Sequence, residues 1–209
     1  MNLEIEATFL EVDKNEIRSK LKALGGKLIQ PEILMRRIVF DLHSNHAFAR
    51  VRDEGNRIVL TYKNHHNDTL TGTEEINVEV NNYEDTIAIL KACGLRAKSD
   101  EDSYRETWEL DDVEITIDTW PWIPTYIEIE GPSEISVKSA ATKLGYNMQN
   151  AVIRSVDSVY KLYYDVSSEL INEQLSEFKF VDAPTELASK LRSVPLAPAK
   201  IPANPHAQS

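Results

Sequence analysis

The chain opens with the stretch Leu3-Glu4-Ile5-Glu6-Ala7-Thr8-Phe9, whose alternation points to the fold. Side chains alternate sides along a β-strand, so Glu4 and Glu6 share one face and the apolar residues share the other. The pattern returns late in the chain as Tyr126-Ile127-Glu128-Ile129-Glu130. Two carboxylates on each of two strands are suitable oxygen ligands for a hard divalent cation. The alternative is a pair of amphipathic strands with solvated acidic faces.

Composition limits the class of protein. The 209 residues carry 34 acidic and 23 basic side chains, a formal net charge of −11. This surface argues against non-specific nucleic-acid binding, which depends on Lys and Arg neutralising phosphates. The single cysteine excludes an intrachain disulfide. No apolar run approaches the roughly 20 residues of a membrane span, and no signal-peptide pattern is evident, so we expect a cytoplasmic protein without membrane contacts.

Alternating patterns and turn residues predict mostly antiparallel strands with few inserted helices. We expect strands at about 2–9, 33–41, 46–53, 56–64, 72–81, 103–110, 112–118 and 125–131. Helices are expected after the N-caps Asp13 and Asn82, then at about 133–144, 151–164 and 167–178. The fold class is therefore α+β, an eight-stranded antiparallel β-barrel with flanking helices. We divide the chain into a barrel domain (1–165), a C-terminal helical extension (166–192) and a disordered tail rich in Pro and Ala (193–209).

The predicted strands carry charges of both signs along one face and apolar residues along the other. Arg50 and Arg52 share a face of one strand, and Lys63 lies on the next strand. Two arrangements fit this pattern. In one, the charged faces contact water, which the alternation by itself favours. In the other, the sheet closes with its charged faces inward and forms a charged tunnel.

The order of motifs along the chain resembles the CYTH superfamily, the triphosphate tunnel metalloenzymes. The similarity rests on the Glu-x-Glu opening, FARVR at 48–52, LTYK at 60–63, an acidic strand at 74–80, Arg105, Asp118 and YIEIE at 126–130. It spans about residues 2–164. The family includes class IV adenylate cyclases, thiamine triphosphatases and inorganic tripolyphosphatases. The resemblance implies an eight-stranded tunnel that binds a small-molecule triphosphate and Mg²⁺ or Mn²⁺.

The resemblance also implies roles for individual residues. Acidic residues at both ends of the chain match the metal site: Glu4, Glu6, Glu128 and Glu130, with Glu79 or Glu75 and Asp118 as further candidates. Basic residues match the phosphate site: Arg50, Arg52, Lys63 and Arg105, with Arg37 and Lys161 as further candidates. Within these sets, the catalytic group is expected to be Glu4, Glu6, Arg52, Lys63 and Arg105. Arginine suits bidentate contact with phosphate oxygens, and lysine acts as a point charge.

Two positions depart from the family pattern. The opening is commonly Glu-x-Glu-x-Lys, but Thr8 occupies the place of the lysine. A late Lys-x-Arg pair is here Ser103-Tyr104-Arg105. Two expected cations are therefore missing. Arg57 could substitute, as could one of Arg36 and Arg37, since alternation turns one of that pair inward.

Three functions fit these residues. The first is a divalent-metal-dependent phosphohydrolase acting on a nucleoside, organic or inorganic triphosphate. The second is a class IV-type adenylate cyclase that forms cAMP and pyrophosphate from ATP. The third is a nucleotide- or polyphosphate-binding protein without turnover, which the missing lysine motivates. Trp120-Pro121-Trp122 could either pack over the barrel end or stack on a base. A homodimer is compatible with each function.

Overall fold

The computed structural model describes residues 2–42, 47–65, 73–152 and 156–193. Within these residues ten strands belong to one sheet. They are β1 (Asn2–Glu4), β2 (Glu6–Phe9), β3 (Lys27–Asp41), β4 (Ala47–Asp53), β5 (Ile58–His65), β6 (Thr73–Val80), β7 (Ala97–Leu110), β8 (Val113–Thr119), β9 (Tyr126–Glu130) and β10 (Glu177–Phe178).

In the described part of the chain, five α-helices lie around the sheet: α1 (Lys14–Ala23), α2 (Tyr83–Ala92), α3 (Glu134–Leu144), α4 (Val156–Tyr163) and α5 (Thr185–Ala188). The predicted N-caps are confirmed, because Asp13 and Asn82 each accept a 2.9 Å hydrogen bond from a backbone N–H three residues later. Ser133 caps α3 in the same way. These bonds satisfy donors that the first turn of a helix leaves unpaired. None of the helices in the described ranges is long and apolar enough to cross a membrane.

The N-terminal strand closes the sheet. Its first half, β1, pairs with β6, and its second half, β2, pairs with β9. The complete order is β1-β6-β5-β4-β3-β7-β8-β9-β2, so the two ends of the sheet are halves of one segment interrupted only at Ile5. With β1 and β2 counted as one strand, this is the predicted eight-stranded antiparallel architecture. It is curled rather than flat, and the expected fold class is confirmed.

The strand register assigns the charged side chains to the inner face. Glu6, Glu130, Glu114 and Glu109 occupy one row of direct partners across β2, β9, β8 and β7. A parallel row contains Arg105, Asp118 and Tyr126. On the other side of the curl, Lys63 pairs with Glu75. Alternation therefore turns the apolar residues outward. The inward arrangement holds, and the solvated arrangement that the pattern alone favoured is wrong.

Helices cover much of the apolar outer face. Ile115 and Ile129 of the sheet form one core with Leu21 of α1 and Ala141 of α3. A second outer core joins Val51 and Phe40 to partly buried residues of α2. This arrangement reverses the usual antiparallel sheet, in which the polar face meets water. The helices thus free the interior of the curl for polar side chains.

Two strands are longer than predicted. β3 begins at Lys27 rather than near residue 33, and its register with β7 shifts on either side of Pro31. Proline cannot donate a ladder hydrogen bond, which explains why a regular strand was not evident there. β7 begins at Ala97 because its first half pairs with the late part of β3, from Met35 to Phe40, and with β10.

The C-terminal segment corrects a further expectation. The helix predicted over 167–178 is instead a π-helical segment at Leu170–Gln174 followed by β10, which pairs in parallel with β7. The only other helix described in this segment is the four-residue α5. The helical extension is therefore mostly irregular chain. Most of the predicted tail, from 194 to 209, lies outside the described residues, and the domain boundaries remain predictions.

The core against α1 gives a stability prediction. Leu21 is fully buried, whereas Leu24 at the end of the same helix is 40% exposed. We expect Leu21→Ala to lower the free energy of unfolding by about 2–5 kcal/mol, through lost transfer energy and a cavity. Leu24→Ala should cost less than about 1 kcal/mol. Urea denaturation of both variants measures the difference, and equal losses would contradict this packing.

Candidate functional site

An ion-pair network at Arg105 lies in the centre of the interior. The guanidinium donates to both carboxylate oxygens of Asp118 at 2.7 and 2.9 Å, and its Nη2 donates to Glu128 at 2.8 Å. Thr116 donates a further 2.6 Å hydrogen bond to Asp118, which is fully buried. Burial alone would lower the pKa of Arg105, but Asp118 and Glu128 raise it well above its ordinary value. Arg105 is therefore a fixed cation.

Arg37 lies next to this network on β3. It is 3% exposed, donates to the Ser103 hydroxyl and stacks over the Trp120 ring with 4.4 Å from its guanidinium carbon to the ring centroid. Its Nε is buried and has no hydrogen-bond partner. Arg36 points outward, where it pairs with Asp53 at 2.8 Å. Of these two arginines, Arg37 is therefore the one that faces the interior, which confirms the prediction that one of the pair turns inward.

Arg50 and Arg52 extend the basic group along β4. Arg50 makes a long 3.4 Å contact to Thr61, and among the described residues its buried Nε has no hydrogen-bond partner. Arg52 donates to Glu54, with its Nε at 2.7 Å from the carboxylate. With Arg37 and Arg105, these residues form what we call the arginine group.

The members of the arginine group repel one another. Burial is the larger cause and repulsion from Arg52 the next, and together they lower the pKa of Arg37 to about 10. Burial and, second to it, repulsion from Arg50 lower the pKa of Arg52 to about 9. The pKa of Arg50 is also lowered, by burial and then Arg37. Arg37 and Arg52 remain protonated at neutral pH. Arg37 is buried and Arg50 and Arg52 are half-buried, and the three outnumber the acidic partners described for them, an arrangement that an anion would stabilise.

The acidic residues of β2 and β9 form a complementary group, here called the acidic group: Glu6, Glu128 and Glu130. Glu130 lies directly opposite both Glu6 and Glu114 across its two neighbouring strands. Like charges in directly opposed positions are unfavourable. Although the Glu130 side chain is exposed, the protein around its carboxylate limits hydration and raises its pKa, and Glu6 and Glu114 raise it further. Burial raises the pKa of Glu128 to about 7, with Arg105 opposing and Asp118 and Glu6 adding to the shift.

The acidic group suits a divalent cation in chemistry but is not preassembled. Its members supply hard carboxylate oxygens on adjacent strands, and their mutual repulsion is what a cation would relieve. Nonetheless, in the part of the chain that the structure describes, no three Asp, Glu, His or Cys side chains converge closely enough to hold an ion. Glu4 enters this description through its backbone alone, which pairs with Thr73 of β6.

The remaining predicted site residues occupy varied positions. Lys63 on β5 lies 3.4 Å from Glu75 on β6. Glu79 lies on the side of β6 that faces the interior, and its side chain is exposed. Asp118 is engaged by Arg105 and Thr116 rather than facing the acidic group freely. Lys161 on α4 donates to Ser168 at 2.8 Å, and no contact described for it joins the arginine group. Arg57 pairs with Glu54 at 2.7 Å in the turn after β4.

Sequence reasoning missed Glu54. It lies in the Asp53–Asn56 turn, is 3% exposed and accepts hydrogen bonds from both Arg52 and Arg57. The turn chemistry of this segment concealed its role. The signal that could have identified it is the two arginines at i−2 and i+3 around a single carboxylate. Thr8, at the position of the expected lysine, is buried opposite Glu128, and its backbone exchanges hydrogen bonds with Val152.

The pKa of Glu128 gives a pH prediction for the metal-free protein. Its pKa in the folded state is above its ordinary value, so the folded state binds this proton more tightly and stability falls as pH rises from about 4.5 to about 7. Glu128→Gln should remove this loss. Melting temperatures of both proteins in chelator across this range test it. A constant difference between wild type and variant would contradict the raised pKa.

Comparisons with known proteins agree with this architecture. The family model of the CYTH domain matches residues 2–163. A protein of Methanocaldococcus jannaschii named "Putative adenylate cyclase MJ0240" is 28% identical over 168 residues, which cover 78% of this chain and 96% of the relative. The solved structure of the PH1012 protein from Pyrococcus horikoshii superposes with a TM-score of 0.65 at 22% identity, covering 73% of this chain and 96% of that one.

A plant structure has the same fold at greater distance. The HpAC1 protein of Hippeastrum gives a TM-score of 0.52 at 13% identity, over 77% of this chain and 96% of that one. The CYTH match covers more than three quarters of the sequence, and the strand order and inward charges agree with it. The chain belongs to the CYTH domain family.

Proposed function

We propose that the chain hydrolyses the terminal phosphate of a triphosphate bound within the curled sheet, with Mg²⁺ or Mn²⁺ as cofactor. The observation that supports this most is the arginine group. Its four guanidiniums are crowded in a poorly solvated interior, and Nε atoms of Arg37 and Arg50 have no hydrogen-bond partners. A triphosphate supplies both the negative charge and the oxygen acceptors that these donors lack.

The chemistry follows from where the charges lie. A water oxygen forms a bond to the terminal phosphorus, and the bond from that phosphorus to its bridging oxygen breaks. The bridging oxygen keeps the electron pair, so the products are orthophosphate and the shortened phosphate. The proton of the water passes to a carboxylate or to bulk solvent. Arg50, Arg52 and Arg37 stabilise the charge that develops on the phosphate oxygens, because they are already fixed and desolvated.

The acidic group is the proposed place for the cofactor. Glu6, Glu128 and Glu130, with Glu4 as the further candidate from the register, would hold the cation. A divalent ion bound by these carboxylates would neutralise the negative charge of the phosphate oxygens. Without it, the carboxylates would repel a polyanion. Lys63 shares this side of the interior, because it acts electrostatically on both Glu128 and Glu130. It thus adds a positive charge between the two groups.

Adenylate cyclase activity is the second candidate. The M. jannaschii relative, which aligns over nearly its whole length, is named for that activity. In that reaction the ribose 3′-oxygen forms a bond to the α-phosphorus, pyrophosphate leaves with the electron pair, and the hydroxyl proton is released. HpAC1 is itself described as an adenylyl cyclase candidate with a dominant triphosphatase activity. One fold is therefore associated with both names.

The tryptophans give the cyclase little additional support. The Trp120 ring is covered by Arg37, and it is only 5% exposed. The Trp122 indole donates to the backbone of Val181 and packs against Phe178 at a centroid distance of 5.8 Å. Both rings of the segment are used in packing, so base stacking by this segment, one of its two predicted roles, has no support from these contacts.

Phosphorus NMR tests the proposal directly. The purified protein is incubated with Mg²⁺ or Mn²⁺ and, separately, ATP, GTP, thiamine triphosphate and tripolyphosphate. We expect orthophosphate as the first product, and no reaction once the metal is chelated. Pyrophosphate with cyclic nucleotide would establish the cyclase instead. Bound but intact ligand after long incubation would establish a binding protein and refute the hydrolase.

Neighbouring arginines provide a matched mutational test. Arg37→Lys removes a buried planar guanidinium, and we expect kcat/KM to fall about 100-fold, because lysine cannot stack and donate in the same way. Arg36→Lys changes the adjacent outward residue and should leave activity within about twofold. Steady-state kinetics on the best substrate, with melting temperatures for both, measure the contrast. Similar kinetics for the two variants would remove Arg37 from the site.

A further inference from the structure

Exposure along the interior side of β7, β8 and β9 changes in one direction. On β7, β8 and β9 the outermost row of interior residues, Glu109, Glu114 and Glu130, is exposed. The next row contains the buried Thr107 and Thr116 together with Glu128. These rows are fixed by the strand register. One opening of the curl is therefore wet and acidic.

At the opposite end of these three strands the interior is filled by described residues. In the third row Asp118 is fully buried, and its partner Tyr126, which also faces the interior, is 2% exposed. Beyond this row, Ser103 of β7 and Trp120, the residue that follows β8, are also buried. Tyr126 and Trp120 belong to an apolar cluster that we call the end cluster. Its buried members are Leu10, Trp120, Ile123, Tyr126, Val159, Tyr160, Tyr164, Ile171, Phe178 and Leu187.

The segment after the CYTH match supplies part of this closure. Ile171, Phe178 and Leu187 all follow residue 163, where the family match ends. Phe178 packs on Tyr160 at a centroid distance of 5.4 Å, and the backbone N–H of Asp100 donates to Ser176 at 2.8 Å. Lys179 adds ion pairs to Asp100 and Asp102 at 2.6 and 2.9 Å. The extension is thus attached to β7 by backbone, charge and ring contacts.

We infer that the interior is a blind pocket rather than a through-tunnel, and that it accepts a linear phosphate chain only by its free end. The acidic row forms the entrance, and the end cluster with its Phe178 forms the floor beyond the arginine group. Any organic group stays at the entrance, so substrates are selected by their terminal phosphates rather than by the organic group. This inference rests on the proposed function for its substrate, but its geometry can be tested by binding alone.

Binding stoichiometry with long linear polyphosphate separates the two geometries. A blind pocket can engage only chain ends, so we expect no more than two protein molecules per chain in the presence of Mg²⁺, measured by titration calorimetry at a temperature and time without turnover. A through-tunnel would allow several copies to thread onto one chain. More than two copies per chain would overturn the inference, whether or not the protein is a hydrolase.

Product analysis adds a second readout where hydrolysis occurs. We expect orthophosphate as the first product from ATP, adenosine tetraphosphate and adenosine pentaphosphate. The floor stops the free end of each chain at the same depth, so the terminal phosphate is the one that is cleaved. In a through-tunnel the chain could slide past, and the longer substrates would release diphosphate or triphosphate fragments. Such fragments as first products would contradict the blind pocket while leaving the hydrolase itself established.

Two phenylalanines of the extension provide the matched variants. Phe178 belongs to the end cluster, whereas Phe180 is 42% exposed and stacks on the outer Tyr104 at 4.9 Å. We expect Phe178→Ala to make diphosphate or triphosphate fragments at least about a fifth of the first products from adenosine pentaphosphate, because the floor no longer stops the free end of the chain. Phe180→Ala should still release orthophosphate first. The same first products from the two folded variants would show that the extension is not part of the floor.

Discussion

A sheet that turns its charged face inward is stable only if those charges find partners in place of water, and the contacts of Arg105 satisfy this constraint. Asp118 and Glu128 hold the guanidinium from two neighbouring strands, and Thr116 supports Asp118 from behind. Breaking a buried pair leaves an uncompensated charge and costs several kcal/mol. The rest of the interior is arranged around this neutralised centre. Excess positive charge lies along β3 and β4, and excess negative charge lies along β2 and β9.

The outer cores make that inward arrangement possible. Apolar residues on the convex face, such as Ile115 and Ile129, are covered by α1 and α3, while α2 covers the region around Val51. Hydrophobic burial therefore takes place outside the curl, and the interior does not need an apolar filling. This division lets a small chain hold four arginines in one interior. The unsatisfied Nε atoms of Arg37 and Arg50 are the remaining cost, and they make the site attractive to an anion.

Much of the fold could be predicted because alternation, turn residues and N-caps are local signals. Asp13 and Asn82 were assignable as caps, and alternation was sufficient to turn one of Arg36 and Arg37 inward. Alternation could not say which face is buried, since a solvated and an enclosed charged face give the same pattern. Only the order of motifs along the chain decided that question. The role of Glu54 and the attachment of β10 depend on contacts between distant residues, and no local pattern encodes them.

The split of the N-terminal strand has a consequence for how the chain folds. β1 pairs with residues near 74, whereas Ala7 of β2 pairs with Ile129. These two short strands therefore pair with one strand from the middle of the sequence and with another that is made much later. Such distant pairings have a large loop-closure cost and slow folding. Closure of the sheet is thus a late event, and the site forms only when β2 meets β9.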